Sequence, residues 1–116
     1  MLVIRKEQME AMEEYMLRSL KKRMVSHLRA NYPEETAEMS DDELDLLVKS
    51  GIDKAESYDI IEDDDVRRFL EFMVINGENF DKEDPEAEDI LTDDEMDSDE
   101  KMDELDYYYS ESEEEE

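Results

Sequence analysis

Residues 6–31 read KEQMEAMEEYMLRSLKKRMVSHLRAN, and the fold class turns on how the apolar residues of that stretch are spaced. Met9, Met12, Met16, Leu20, Met24 and Leu28 recur at steps of three or four, and Tyr15, Leu17 and Val25 widen the stripe. This is the period of a helix with one apolar face, and no Gly or Pro interrupts it, so the spacing predicts one long helix from Lys6 to Asn31. Other elements must cover such a stripe. The helix ends at Asn31-Tyr32-Pro33, because proline disfavours helical backbone at the residue before it.

Further along, Ser40-Asp41-Asp42-Glu43 has the form of a capping box, in which the Ser40 hydroxyl accepts from the Glu43 amide and Glu43 reaches back. A second helix is expected from there through Leu44, Leu47 and Val48 to Gly51, where it ends or bends, with Ile52, Ala55 and Tyr58 continuing the spacing. A third is expected to begin near Glu62-Asp63-Asp64-Asp65, where acids favour the positive end of the helix dipole. It runs through Val66, Phe69, Leu70, Met73 and Val74 to Gly77, with Phe72 and Ile75 broadening its apolar face to two sides. Phe80 and Ile90-Leu91 are expected to fold back around a turn at Asp84-Pro85. No alternating strand pair and no hairpin turn is present, so the fold is read as all-α, a small bundle of about three main helices.

Charge divides the chain. Its 116 residues carry 13 basic and 40 acidic side chains, net −27, distributed as +3 over residues 1–31, −17 over 32–91 and −13 over 92–116. In the last segment Met96, Met102 and Leu105 stand isolated among acids, and the chain closes Tyr107-Tyr108-Tyr109-Ser110-Glu111-Ser112 and four glutamates. Read by composition, residues 1–91 form a helical domain and residues 92–116 a disordered acidic tail that buries too little apolar area to offset its ordering entropy.

Composition also excludes function classes. A charge of −27 repels phosphate and anionic lipid, which argues against direct nucleic-acid binding, and no apolar run approaches the roughly 18 residues of a membrane span. Met1-Leu2-Val3-Ile4 is too short, and precedes rather than follows its basic residues, for a secretory signal, so a cytoplasmic protein is expected. There is no cysteine and one histidine, which removes thiolate chemistry, disulfides and multi-histidine metal sites within one chain. No cofactor is expected.

Several short motifs, in order, resemble a known group. Ile4-Arg5-x-x-Gln8-Met9, Met24-Val25-x-His27-Leu28, Pro33, Gly51-Ile52-x-x-Ala55-x-x-Tyr58, Asp65-Val66-x-Arg68-Phe69 and Gly77-x-x-Phe80-Asp81 resemble small helical Gram-negative proteins found near type VI secretion effector and toxin genes. The resemblance covers about residues 3–91 and implies an accessory protein, either a chaperone or adaptor or an immunity protein. It assigns no catalytic residue. The chain departs from the pattern at Asp59, where the family commonly has Gly, and around Glu86-Ala87-Glu88, where an apolar residue such as Trp is expected.

The remaining candidates are weighed by chemistry. His27 follows Ser26, and adjacent helix residues point about 100° apart, so the two cannot form a nucleophile–base pair. Asp93, Glu95, Asp97 and Glu104 occupy positions 1, 3, 5 and 12 of a calcium loop, but position 6 is Ser98 instead of the glycine its turn requires. Ser110 and Ser112 each precede a glutamate by three residues, a pattern acid-directed kinases accept, without significance in a bacterial cytoplasm. Arg18, Lys21, Lys22 and Arg23 form a basic cluster expected to pair with the acidic helices or the tail, in cis or across a dimer. Tyr107, Tyr108 and Tyr109 are candidate contact residues for a partner, as are Met9, Met12 and Met16, because methionine packs adaptably against variable surfaces. The expected function is therefore non-enzymatic, a binding protein for a basic protein such as an effector or toxin. The alternative is a nucleic-acid mimic that occupies the groove of a DNA- or RNA-binding protein, and an acid–base enzyme lacks any visible pocket.

Overall fold

The computed structural model describes the backbone of residues 6–114 and the side chains of residues 15–110. Among the described residues the fold is all-helical. Four long helices, α1 (Lys6–Asn31), α3 (Asp41–Ser57), α4 (Asp63–Asn76) and α7 (Ser98–Glu114), are joined through three short ones, α2 (Pro33–Thr36), α5 (Phe80–Glu83) and α6 (Pro85–Leu91).

The ends of these helices follow from local chemistry. Pro33 stops α1 and opens α2, where its missing N–H costs nothing. The Ser40 hydroxyl accepts from the Glu43 amide at 3.1 Å and the Glu43 carboxylate from the Ser40 amide at 3.4 Å, closing the expected box at the start of α3. Asp63, Asp64 and Asp65 fill the first turn of α4, and Gly77, with φ of 110°, ends it. Asp84 caps α6 by accepting from the Glu86 amide at 3.1 Å, and Pro85 takes the first helical position.

At Gly51 the helix does not end; α3 continues through to Ser57. The glycine is there for packing. A Cβ at this position would overlap Leu70 Cδ2 and lie 2.8 Å from Met73 Sδ, so its absence lets α4 approach α3 closely. The helix ends instead at Tyr58 in a Schellman arrangement, with Ile60 N–H donating to Ala55 C=O at 2.8 Å and Asp59 N–H to Glu56 C=O at 3.0 Å. Asp59 occupies the left-handed position of that motif, with φ of 62°, where glycine is the usual residue.

The core is one cluster. Leu28 and Met24 of α1, Leu44, Val48 and Ala55 of α3, and Phe69, Leu70 and Met73 of α4 are buried together. Phe80, Ala87 and Leu91 close it from α5 and α6, which fold back as the sequence predicts.

The disordered tail expected from residue 92 is not confirmed over the described residues, where the chain forms a further helix. Asp97 and Glu100 form a second capping box, and α7 starts there, with Asp97 accepting from the Glu100 amide at 2.9 Å. Met102 and Leu105, isolated in sequence, are fully buried, and Tyr109 packs its ring 5.7 Å from that of Phe72. These three stand at i, i+3 and i+7, so one face of an otherwise acidic helix is apolar and completes the aromatic side of the core. Arg68 of α4 offsets the acids on the flank of α7, reaching Asp99, Asp103 and Asp106 at 3.4, 2.8 and 2.6 Å. The buried Lys101 ammonium donates to the Tyr58 carbonyl at 2.8 Å, at the negative end of α3. With α7 counted, the bundle has four long helices where three were expected.

Candidate functional site

Charge is segregated by element. Residues 78–106, spanning α5 to α7, hold sixteen acids against two bases, Lys82 and Lys101, and Lys101 is buried. Residues 15–31 of α1 hold five bases and no acid. The acidic α7 packs on α4 and α6, and α1 packs on α2, α3 and α4.

The acidic region includes a concave feature. A shallow cavity of about 330 Å³ is lined by Asn76, Phe80, Glu83, Asp84, Pro85 and Tyr109. Its construction starts with Asp84, which caps α6 through one oxygen while its carboxylate accepts the Tyr108 hydroxyl at 3.0 Å and the Tyr109 hydroxyl at 3.4 Å. The Tyr109 ring is fixed by Phe72 at 5.7 Å and Phe80 at 6.3 Å. Burial and then the Asp84 charge hold the Tyr109 hydroxyl well above the usual phenol range, so it stays a neutral donor. Hydrogen bonding to Asp84 raises Tyr108 in the same sense. The result is an aromatic wall beside two carboxylates, with the exposed acids Glu86 and Asp89 on adjoining turns.

Behind this surface, Asp81 is 1% exposed and accepts the Tyr58 hydroxyl at 2.8 Å, with Lys54 at 3.4 Å. Burial and then the Asp81 contact push Tyr58 upward. These groups are mutually satisfied and hold α5 against α3.

Of the tyrosines expected to contact a partner, Tyr108 and Tyr109 are tied to Asp84 within the chain, and Tyr107 is largely exposed. Met16 is exposed, whereas Met24 and Met73 of the same predicted stripes are core residues. The side chains of Met9 and Met12 lie outside the described residues. Within the basic cluster, Arg23 reaches Asp63 at 3.1 Å and Lys21 reaches Asp45 at 3.9 Å, the expected pairing with the second and third predicted helices. Arg18 and Lys22 have no ion-pair partner among the described residues.

His27 sits between α1 and α4. Its Nε2 lies 2.7 Å from the Glu71 carboxylate, and the Asn31 side-chain amide lies 3.1 Å from Nδ1. The donation from Asn31 places the ring proton on Nε2, facing Glu71. Both ring nitrogens are thereby occupied. Glu71 also draws the Tyr32 hydroxyl, which burial and this carboxylate raise above its usual range.

Of the residues at the calcium-loop spacing, Asp93 closes a turn by accepting from the Glu95 amide at 2.9 Å, and Asp97 caps α7 by accepting from that of Glu100. Among the described residues no three His, Cys, Asp or Glu side chains are grouped to hold a metal ion, and no helix is long and apolar enough to cross a membrane.

Sequence reasoning missed Asp84, Glu83 and Arg68 as parts of a built surface. The available signal was the box Asp97-x-x-Glu100 followed by Met102, Leu105 and Tyr109 at helical spacing, which places a helix where composition suggested none. Compared with protein-family models, curated proteins and solved structures, the chain matches none.

Proposed function

We propose that this is a non-enzymatic binding protein that engages a basic protein through the surface of α5, α6 and α7. The cavity beside Tyr109 carries this reading: an aromatic wall with Glu83 and Asp84 at its edge accommodates a lysine or arginine side chain, by cation–π attraction and charge together. The surrounding acids supply long-range steering, which speeds encounter and selects basic surfaces. A secreted effector or toxin is one such partner, in keeping with the resemblance noted from the motifs.

Because Met102 and Leu105 are core residues, deleting the C-terminal segment uncovers the core, and the test uses substitutions on exposed acids. The partner is captured from native lysate, and its kinetics are measured against wild type and the triple variant Glu83→Gln, Glu86→Gln, Asp89→Asn. Slower association and a flatter salt dependence, with a smaller change in dissociation, are expected. An acidic partner, or unchanged kinetics, overturns the reading.

A second reading, nucleic-acid mimicry, is favoured by Arg68, which fixes Asp99, Asp103 and Asp106 along one flank of a helix. Mimicry needs carboxylates held at set spacing, and this row is held. Competition between duplex nucleic acid and the protein for the captured partner separates the two readings.

A further inference from the structure

Apart from the acidic cavity, α1 presents an apolar face with nothing of its own chain over it among the described residues. Tyr15 is 73% exposed, Met16 65% and Ile61 72%, and together with Leu17 and Leu20 they line a shallow groove of about 300 Å³. Leu17 and Leu20 also touch the core, so the groove adjoins the bundle. A 26-residue helix is about 39 Å long, whereas the 17 residues of α3 and 14 of α4 reach only about 26 and 21 Å. The helices that α1 packs on are too short to cover it.

The charge along α1 shows what fits there. Residues 6–14 carry four acids and one base, and residues 15–31 five bases and no acid, so the sign changes at the exposed Tyr15 and Met16. Two such helices laid antiparallel across that point set the acidic half of each beside the basic half of the other. Parallel pairing sets like against like.

We propose that a second copy of this chain covers the Tyr15, Met16 and Ile61 surface, with the two α1 helices antiparallel about a two-fold axis near Met16. The interface is self-complementary, as a two-fold interface must be. A helix pair of this length offers room for the roughly 800 Å² per partner that a specific interface buries. Mutual repulsion between the acidic α5 to α7 surfaces of two copies is screened beyond about 8 Å at physiological ionic strength. This inference does not rest on the proposed partner site.

Sedimentation equilibrium on the full chain over a range of concentrations tests it, with a mass rising to twice 13.9 kDa expected. The exposed positions allow variants that leave the core intact: Tyr15→Glu with Met16→Glu should remain monomeric while keeping the wild-type circular dichroism. Two charge variants test the orientation, one with Arg18 and Lys22 changed to Glu, the other with Glu7, Glu10 and Glu14 changed to Lys. Each alone should be monomeric, and their equimolar mixture should regain the dimer mass. A wild type that stays at monomer mass overturns the proposal, as does a mixture that fails to pair or a Tyr15/Met16 variant that still dimerises. Such results leave the acidic surface and its partner kinetics unaffected, so the two readings fail separately.

Discussion

The Tyr58 hydroxyl donates to Asp81 at 2.8 Å in a site where Asp81 is 1% exposed, and this contact ties the end of α3 to α5 beneath the acidic surface. Removing the donor in Tyr58→Phe leaves the buried carboxylate with only the longer Lys54 contact at 3.4 Å. A loss of about 1–3 kcal/mol is expected from chemical denaturation at neutral pH, the usual cost of stranding a buried polar group.

Stability should fall at alkaline pH. The hydroxyls of Tyr58, Tyr109 and Tyr32 are all held above the ordinary tyrosine value near 10, first by burial and then by neighbouring carboxylates. In the unfolded chain they release protons near that value while the folded chain keeps them. The stabilisation is complete below pH 10 and is lost as pH rises through the higher folded values. Denaturation curves collected on both sides of that pH should show it, and the double variant Tyr58→Phe, Tyr109→Phe should have a visibly shallower decline.

Arg68 is 20% exposed and faces three carboxylates of α7 that are 58–74% exposed. Burial disfavours its charge, but the hydrogen bonds it donates to Asp106 and Asp103 outweigh that and hold the guanidinium above its usual range. In Arg68→Ala the three acids face each other unneutralised. A loss of about 1–2 kcal/mol is expected, more than an isolated surface pair because one cation serves a network. Amide exchange should quicken in α7 first, and added salt should recover part of the loss. Arg68→Lys should restore less than half, since a point charge cannot span the three positions.

Asp59 adopts φ of 62° in the Schellman turn after α3. Asp59→Gly should stabilise the protein by about 0.5–1 kcal/mol, because glycine enters that region without steric cost. Asp59→Val should destabilise it. Thermal unfolding of both variants is the measurement, and equal midpoints would remove this account of the turn.

Gly51→Ala sets two effects against each other. Alanine gains roughly 1 kcal/mol of helix propensity over glycine. Its Cβ meets Leu70 and Met73, both fully packed, and overpacking of this kind costs about 1–3 kcal/mol. Steric cost should win, giving a net loss of about 1 kcal/mol in equilibrium unfolding.

Local chemistry was readable directly. The bounds of α1, the box at Ser40 and Glu43, the acidic start of α4, the stop at Gly77 and the turn at Asp84-Pro85 all rest on residues within four positions of each other. Backbone hydrogen bonding is local in a helix, so a sequence states it without reference to the rest of the fold. The Asp97 and Glu100 box was equally local, and was hidden only because net charge dominated the reading of that segment.

What the tertiary structure alone decided is non-local. Gly51 reads as a helix breaker until Leu70 and Met73 are seen against it. Met102 and Leu105 count as core only because Phe72, Phe80 and Leu91 leave a space that one face of α7 fills, and α7 can stay beside α4 because Arg68 stands opposite its acids. Only the tertiary structure sets Asp84 and two phenylalanines around Tyr109, which makes its ring a fixed wall of the cavity beside them. Sequence determined the helices by period and cap; burial of apolar faces across gaps of more than twenty residues determined which of their side chains are structural and which face outward, since that burial depends on packing that no single stretch contains.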